Sequence, residues 1–170
     1  MRTSKEEWFL DLAERCARQG TCLRRVYGAI VVDREATVIS TGYCGAPRKV
    51  PDCIKLGRCW RKDNNIQSGT HYEKCRSVHA EVNALIQAGK AARGSTLYLV
   101  GLDYETGKHV DAHPCSMCAR AILNAQISRV VVRRHDNSIL DLAPDHINAL
   151  WDAEVFYGKA VDWSRLELCK

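Results

Sequence analysis

The stretch SVHAEVNAL (77–85) opens a helical pattern with two chemically capable side chains, His79 and Glu81, only two residues apart. On a regular helix the side chains at i and i+2 do not face each other. A histidine in the first turn need not obey the helical phase. His79 can turn toward a group lying off the helix end while Glu81 rises beside the same point. The helix expected from this start runs over 78–91 and leads into TLYLVG (96–101), which reads as a strand.

Outward from that unit, YGAIVVD (27–33) and TVISTGY (37–43) read as adjacent strands joined by a polar turn. A further helix over 115–125 precedes the strand RVVVRR (129–134). A last helix is expected over 145–153, with a short strand or tail after it. Helix, two strands, then strands alternating with helices predicts a three-layer α/β domain with a mixed sheet, its later strands made parallel by the helical crossovers. One domain over 1–170 is expected, its core at about 24–135, flanked by an N-terminal helix (3–19) and a C-terminal helix or tail (136–170).

The N-terminal stretch is too acidic for a signal peptide and reads as an amphipathic helix. Its apolar stripe is Trp8, Phe9, Leu12, Ala13, Cys16 and Ala17, and Thr3 with Glu6 could form a capping box. Cys16 on that stripe is expected to be a buried small hydrophobe. No segment has the length and apolarity of a membrane span. Net charge is +5, mildly basic, which suits an anionic small molecule, but the doublets Arg24-Arg25, Arg48-Lys49 and Arg133-Arg134 are scattered rather than gathered into a nucleic-acid face.

Nine cysteines are the largest departure from ordinary composition. With no export signal the chain is expected in the reducing cytoplasm, where clustered thiols point to metal or catalysis rather than to bridges. The second motif is HPCSMCARAIL (113–123). Pro114 places Cys115 and Cys118 at a helix entrance, and the positive end of the helix dipole favours the thiolate, the metal-binding form. His79, Cys115 and Cys118 then offer three ligands, the number a catalytic zinc keeps so that a fourth position stays open. Glu81 is left as a proton carrier.

His79-Ala80-Glu81 together with Pro114-Cys115-Ser116-Met117-Cys118 resembles the zinc-dependent cytidine and deoxycytidylate deaminase superfamily. GAIVV, ISTGY, CRSVHAEVNALI, TLYLV and PCSMCARAILNAQISRVVV follow its deoxycytidylate-type pattern in order, over about 27–134. The resemblance implies a cytidine-deaminase-like α/β/α fold with a central mixed five-stranded sheet. It also implies hydrolytic deamination of a cytosine nucleotide, dCMP to dUMP and ammonia, with hydroxide made on zinc attacking C4 and Glu81 moving the protons. Cys44, Ala80 and His113 fall at substrate-contacting places, and His113 could instead cap its turn. A homo-oligomer, dimer or hexamer, is implied too.

Residues 44–76 form a long aperiodic loop that needs pinning. Some relatives carry a second, structural zinc here, which implies Cys22, Cys53, His71 and Cys75 as its ligands, with Cys59 competing. Two departures leave the substrate open. Cys44 stands where the family pattern GYNG carries Asn, and GLDYETGKHVDAH (101–113) inserts an excursion at the pocket rim. Another small heterocycle, or a tRNA adenosine of the editing type, are the alternatives.

Overall fold

The computed structural model describes residues 2–67 and 69–157. The chain begins with helix α1 (Lys5–Ala17), followed by strands β1 (Arg25–Val32) and β2 (Val38–Tyr43). Two one-turn helices, α2 (Cys53–Leu56) and α3 (Trp60–Asp63), interrupt the long loop before helix α4 (Ala80–Ala88). Strands β3 (Thr96–Asp103) and β4 (His109–Val110) precede helix α5 (Ser116–Asn124). Strands β5 (Arg129–Arg133) and β6 (Ile139–Leu142) and helix α6 (Pro144–Tyr157) complete the order.

The sheet runs β2-β1-β3-β5-β6, with β4 added beside β3. β1 pairs antiparallel with both β2 and β3, so β2 and β3 run in one direction, as a crossover through α4 requires. β3 and β5 are parallel across the α5 crossover, and β6 returns antiparallel. The sheet is mixed, as expected, but has six strands rather than five among the described residues. Two of them were not expected, the two-residue β4 in the excursion and β6 before the last helix: in Ile139-Leu140-Asp141-Leu142 the alternation is too short to stand out, yet Leu140 and Leu142 are buried. The strand or tail expected after α6, and Cys169, lie outside the described residues.

Both faces of the sheet are covered, which is why its central strands read as continuous apolar runs. Val26, Ile30 and Val32 point to one face, with Tyr98, Val100 and Leu102, and pack against Phe9, Leu10, Ala13 and Ala17 of α1. Ala29 and Val31 point to the other with Leu97, Leu99, Val130 and Val132, against Ala80, Ala84 and Leu85 of α4 and Ala119 and Ile122 of α5. The result is three layers. The α1 cap is Ser4 with Glu7, not Thr3 with Glu6: the Glu7 amide donates to Ser4 Oγ (3.1 Å) and the Ser4 amide to Glu7 Oε2 (3.0 Å). TSKEE carries the same template twice, one residue apart, and the face that buries Leu10 selects the later copy. Trp8, expected on the buried stripe, is half exposed, and Cys16 is only partly buried.

The long loop is closed at its base by a two-way bridge, Gly45 N–H to Val78 O (3.1 Å) and Val78 N–H to Gly45 O (2.8 Å). The later excursion forms a hairpin of β3 and β4, its turn held by Asp103 Oδ1 accepting from Glu105 N, Thr106 N and Thr106 Oγ1. The hairpin also reaches α1: His109 Nε2 lies 2.9 Å from Glu14 Oε2, and Glu14 further pairs with Arg18 and Arg133.

Candidate active site and metal centre

The crossover helices α4 and α5 start beside one another, at the edge where open α/β sheets build ligand sites. His79 is the N-cap of α4 (φ −72°, ψ 153°) and Cys115 the N-cap of α5 (φ −69°, ψ 168°). Neither side chain caps its own helix, so both are free to point off the helix ends. That answers the spacing in SVHAEVNAL: His79 is outside the helical phase and Glu81 is inside it.

His79 Nδ1 lies 3.4 Å from Cys115 Sγ and 3.3 Å from Cys118 Sγ. The three ligand atoms all fall within 4.8 Å of one another, the only such group of three or more among the described residues. A tetrahedral zinc with sulfur at about 2.3 Å and nitrogen at about 2.0 Å would space those atoms roughly 3.5 Å apart, so the donor set fits. Two thiols and an imidazole this close cannot all keep ordinary protonation. The bond with Cys118, then His79, draws the Cys115 thiol down to about 4, while Cys115 and burial push Cys118 well up. Burial pulls His79 down, but the bond with Cys115 and the charge of Glu81 outweigh it and carry the imidazole to about 9. A cation placed among these atoms relieves that competition.

Glu81 is buried (4% exposed) and lines the same cavity. Burial holds its carboxyl above the usual carboxylate range, against the opposing pull of His79. The cavity measures about 540 Å³, within the range that admits a small ligand. Arg24 and Arg25 line it, as does His113, whose pKa burial lowers. From outside the motifs, Arg61 and Tyr72 enter from the long loop and Ile147 and Trp151 from α6. Only the Arg24-Arg25 doublet carried a signal in the sequence; the loop has no period to read, and Trp151 sits on a helix whose approach to the cavity no local pattern announces.

Cys44 also lines the cavity, but its thiol is turned to the backbone of β1. It accepts from Tyr27 N–H (3.2 Å), and its one proton is shared between Arg25 O (3.8 Å) and the Cys22 thiol. Ala80 is fully buried and is not among the lining residues. The set Cys22, Cys53, His71 and Cys75 is not gathered as the first group is. His71 stands off from it, in left-handed backbone (φ 53°), with a 55% exposed side chain whose Nδ1 is 3.3 Å from Glu73 Oε1. Cys53 and Cys59 are buried, and Cys53 and Cys75 each feel both Cys22 and Cys59 as nearby negative charge. The bond from Cys44 is the largest influence on Cys22 and draws its thiol down to about 6. The described cysteines are free thiols.

One imidazole and two thiols at converging helix starts, a donor set that could hold a metal ion, with a buried carboxyl beside it, point to the class. The chain belongs to the cytidine and deoxycytidylate deaminase family, whose zinc-binding region matches residues 3–134. The zinc-binding region and the His79, Cys115 and Cys118 group together support Zn²⁺ as the metal. Among relatives, the chain is similar to the deoxycytidylate deaminase of Saccharomyces cerevisiae, 35% identical over 77% of this chain and 38% of that protein. It is also similar to the deoxycytidylate deaminase of Mycobacterium phage D29, 33% identical over 76% of this chain and 94% of that one. It thus spans well under half the length of the yeast relative and nearly all of the phage one. The dCMP deaminase of cyanophage S-TIM5, solved in complex with dCMP and dUMP, shares the fold, with a TM-score of 0.59 at 23% identity over 88% of this chain and 94% of that one. No helix among the described residues is long and apolar enough to cross a membrane.

Proposed function

We propose that this chain is a zinc-dependent hydrolase, a single deaminase domain that converts dCMP to dUMP and ammonia. The observation that carries the reading is the convergence of two helix N-caps: His79 and Cys115, with Cys118, around a point that buried Glu81 shares. Deoxycytidylate deaminases of yeast and phage D29 at 33 to 35% identity support the substrate class.

In this reading His79, Cys115 and Cys118 hold the zinc, which when bound supplies a Lewis acid and lowers the pKa of water toward neutrality. Glu81 takes one proton from water and delivers it to ring N3, then takes the second from the new C4 hydroxyl and passes it to the departing amine nitrogen. The sum is balanced: water oxygen becomes O4, the C4–N bond breaks, and ammonia carries away the nitrogen. Burial, which raises the pKa of Glu81, favours the protonated form that a proton carrier must pass through. Arg24 and Arg25 on the cavity wall offer charge to a 5′-phosphate, and His113 on the same wall serves the ring. The enzyme works as a homo-oligomer, dimer or hexamer, in the cytoplasm; half-exposed Tyr43 and strongly exposed Ile86 offer apolar surface for the contact.

Ammonia release across dCMP, CMP, dCTP, deoxycytidine, cytosine and a tRNA substrate tests this. We expect dCMP to exceed deoxycytidine by about 100-fold in kcat/KM, the worth of a charged phosphate contact. One observation favours a second reading, another small heterocycle: the thiol of Cys44 is engaged with β1 rather than presented to a sugar. Silence on dCMP with turnover elsewhere in the panel would establish that reading instead.

A second zinc that pins residues 44–76 belongs to the same proposal. Cys22, Cys53 and Cys75 are three of its ligands, and buried Cys59 suits the fourth place better than exposed His71. Elemental analysis should give two zinc ions per chain, falling to one in Cys59→Ser and staying at two in His71→Ala. A folded wild-type chain holding one zinc removes the second site.

A further inference from the structure

The zinc-ligand role of His79, on which this inference rests, raises a question that its own helix does not answer. As an N-cap with no capping bond, the imidazole is released from α4, and nothing on that helix fixes the plane of its ring. Metal-binding histidines are ordinarily oriented through the ring nitrogen that does not bind, by a carboxylate or carbonyl acceptor. Here the hydrogen-bond contacts of the imidazole among the described residues both lie on Nδ1, the atom facing the two thiols.

What meets the ring instead is Tyr72. The two rings stand edge to face, with centroids 4.7 Å apart and planes at 88°. Tyr72 is in turn held at both ends. Its hydroxyl accepts from Gly69 N–H at 3.2 Å, and the guanidinium of Arg61 lies over its ring, 4.5 Å from the centroid. Arg61 is 5% exposed, and among the described residues no carboxylate pairs with it. Its charge is satisfied by loop carbonyls, Gln67 O at 2.7 Å and Thr70 O, and by the face of Tyr72. A buried cation spent on tying one loop together is costly unless the loop has a geometry to keep. The geometry it keeps is the ring against His79.

We propose that Tyr72 is a positioning residue for the metal centre: clamped by Arg61, it fixes the orientation of the His79 imidazole and so sets the zinc affinity of the site. The long loop then has a task at the centre itself, beyond lining the cavity. The contact with His79 is made by the aromatic ring and not by a polar atom, so the ring is essential, while the hydroxyl bond to Gly69 adds a lesser hold beside Arg61.

The test is zinc affinity, measured by equilibrium competition with a chromophoric chelator, alongside the visible spectrum of the Co²⁺-substituted protein. Tyr72→Ala is expected to weaken zinc at this site by about 10- to 100-fold, the range found when orienting partners of metal ligands are removed. Its Co²⁺ d–d bands should lose intensity as the tetrahedral set loosens. Tyr72→Phe keeps the ring and should stay within about threefold of wild type. Arg61→Met should behave like Tyr72→Ala. Tyr72→Leu, which fills the space without an aromatic face, covers the case in which the alanine variant fails to fold, and it too should weaken the site. Zinc affinity within twofold of wild type and an unchanged Co²⁺ spectrum in Tyr72→Leu and Arg61→Met overturn the proposal. His79→Ala and Cys115→Ser separate this from the larger reading. If they retain full zinc stoichiometry, the metal assignment fails; if they lose one zinc while the Tyr72→Leu and Arg61→Met variants keep wild-type zinc affinity, only the brace fails.

Discussion

Glu81→Gln is expected to lower kcat by about 10³- to 10⁴-fold while zinc content stays at the wild-type value. The amide matches the carboxyl in size and sits in the same buried place on the first turn of α4, so His79, Cys115 and Cys118 lose no neighbour they depend on. What disappears is the ability to accept a proton and return it. Both proton movements of the proposed reaction pass through this one side chain, and no other described carboxyl is buried. Steady-state ammonia release on zinc-loaded protein, with metal content measured on the same sample, decides the matter. Activity within tenfold of wild type would sink the role given to Glu81.

Gly42→Ala is the second large effect, and it acts through the fold. A Cβ at Gly42 would lie 2.3 Å from Ala80 O and 2.5 Å from Ala84 N, both backbone atoms of α4. No rotamer relieves a clash with backbone, so strand and helix must part. That helix also fastens the edge of the sheet, through Asn83 Nδ2 to Tyr43 O (2.8 Å) and Gln87 Nε2 to Thr41 O (2.9 Å). We expect a loss of about 3 kcal/mol, a fall in Tm of roughly 6–12 °C, and a drop in zinc affinity, because His79 and Glu81 ride on the displaced helix. A thermal melt within 2 °C of wild type would show that α4 moves at little cost. Gly28 makes the matching approach on the opposite face, where a Cβ would lie 2.1 Å from Ala13 O of α1.

Much of this architecture could be read before any coordinates, and the reason differs from element to element. β1, β3 and β5 are buried on both faces, and continuous apolar runs expose them. His79, Cys115 and Cys118 were legible because metal chemistry restricts residue type more severely than packing does. β6 was hidden by its four-residue length, and the α1 cap by a duplicated template in TSKEE. Tyr72 and Arg61 were not legible at all. Their contacts join an aperiodic loop to a helix end, and neither spacing nor composition encodes such a meeting. The second thiol set lies between these cases: the residue types were visible, while the exposed place of His71 was not.

The N-cap location of His79 and Cys115 also sets a timetable for the centre. The imidazole is 36 residues from Cys115 and 39 from Cys118, with β3 and its hairpin in between. The three donors therefore meet only after that strand has entered the sheet and both crossover helices have docked, so their closeness depends on contacts with a high loop-closure cost. A chain in which α5 has not docked has the imidazole on one segment and the two thiols on another, so the three-donor group is a property of the folded middle of the sheet and of no single segment.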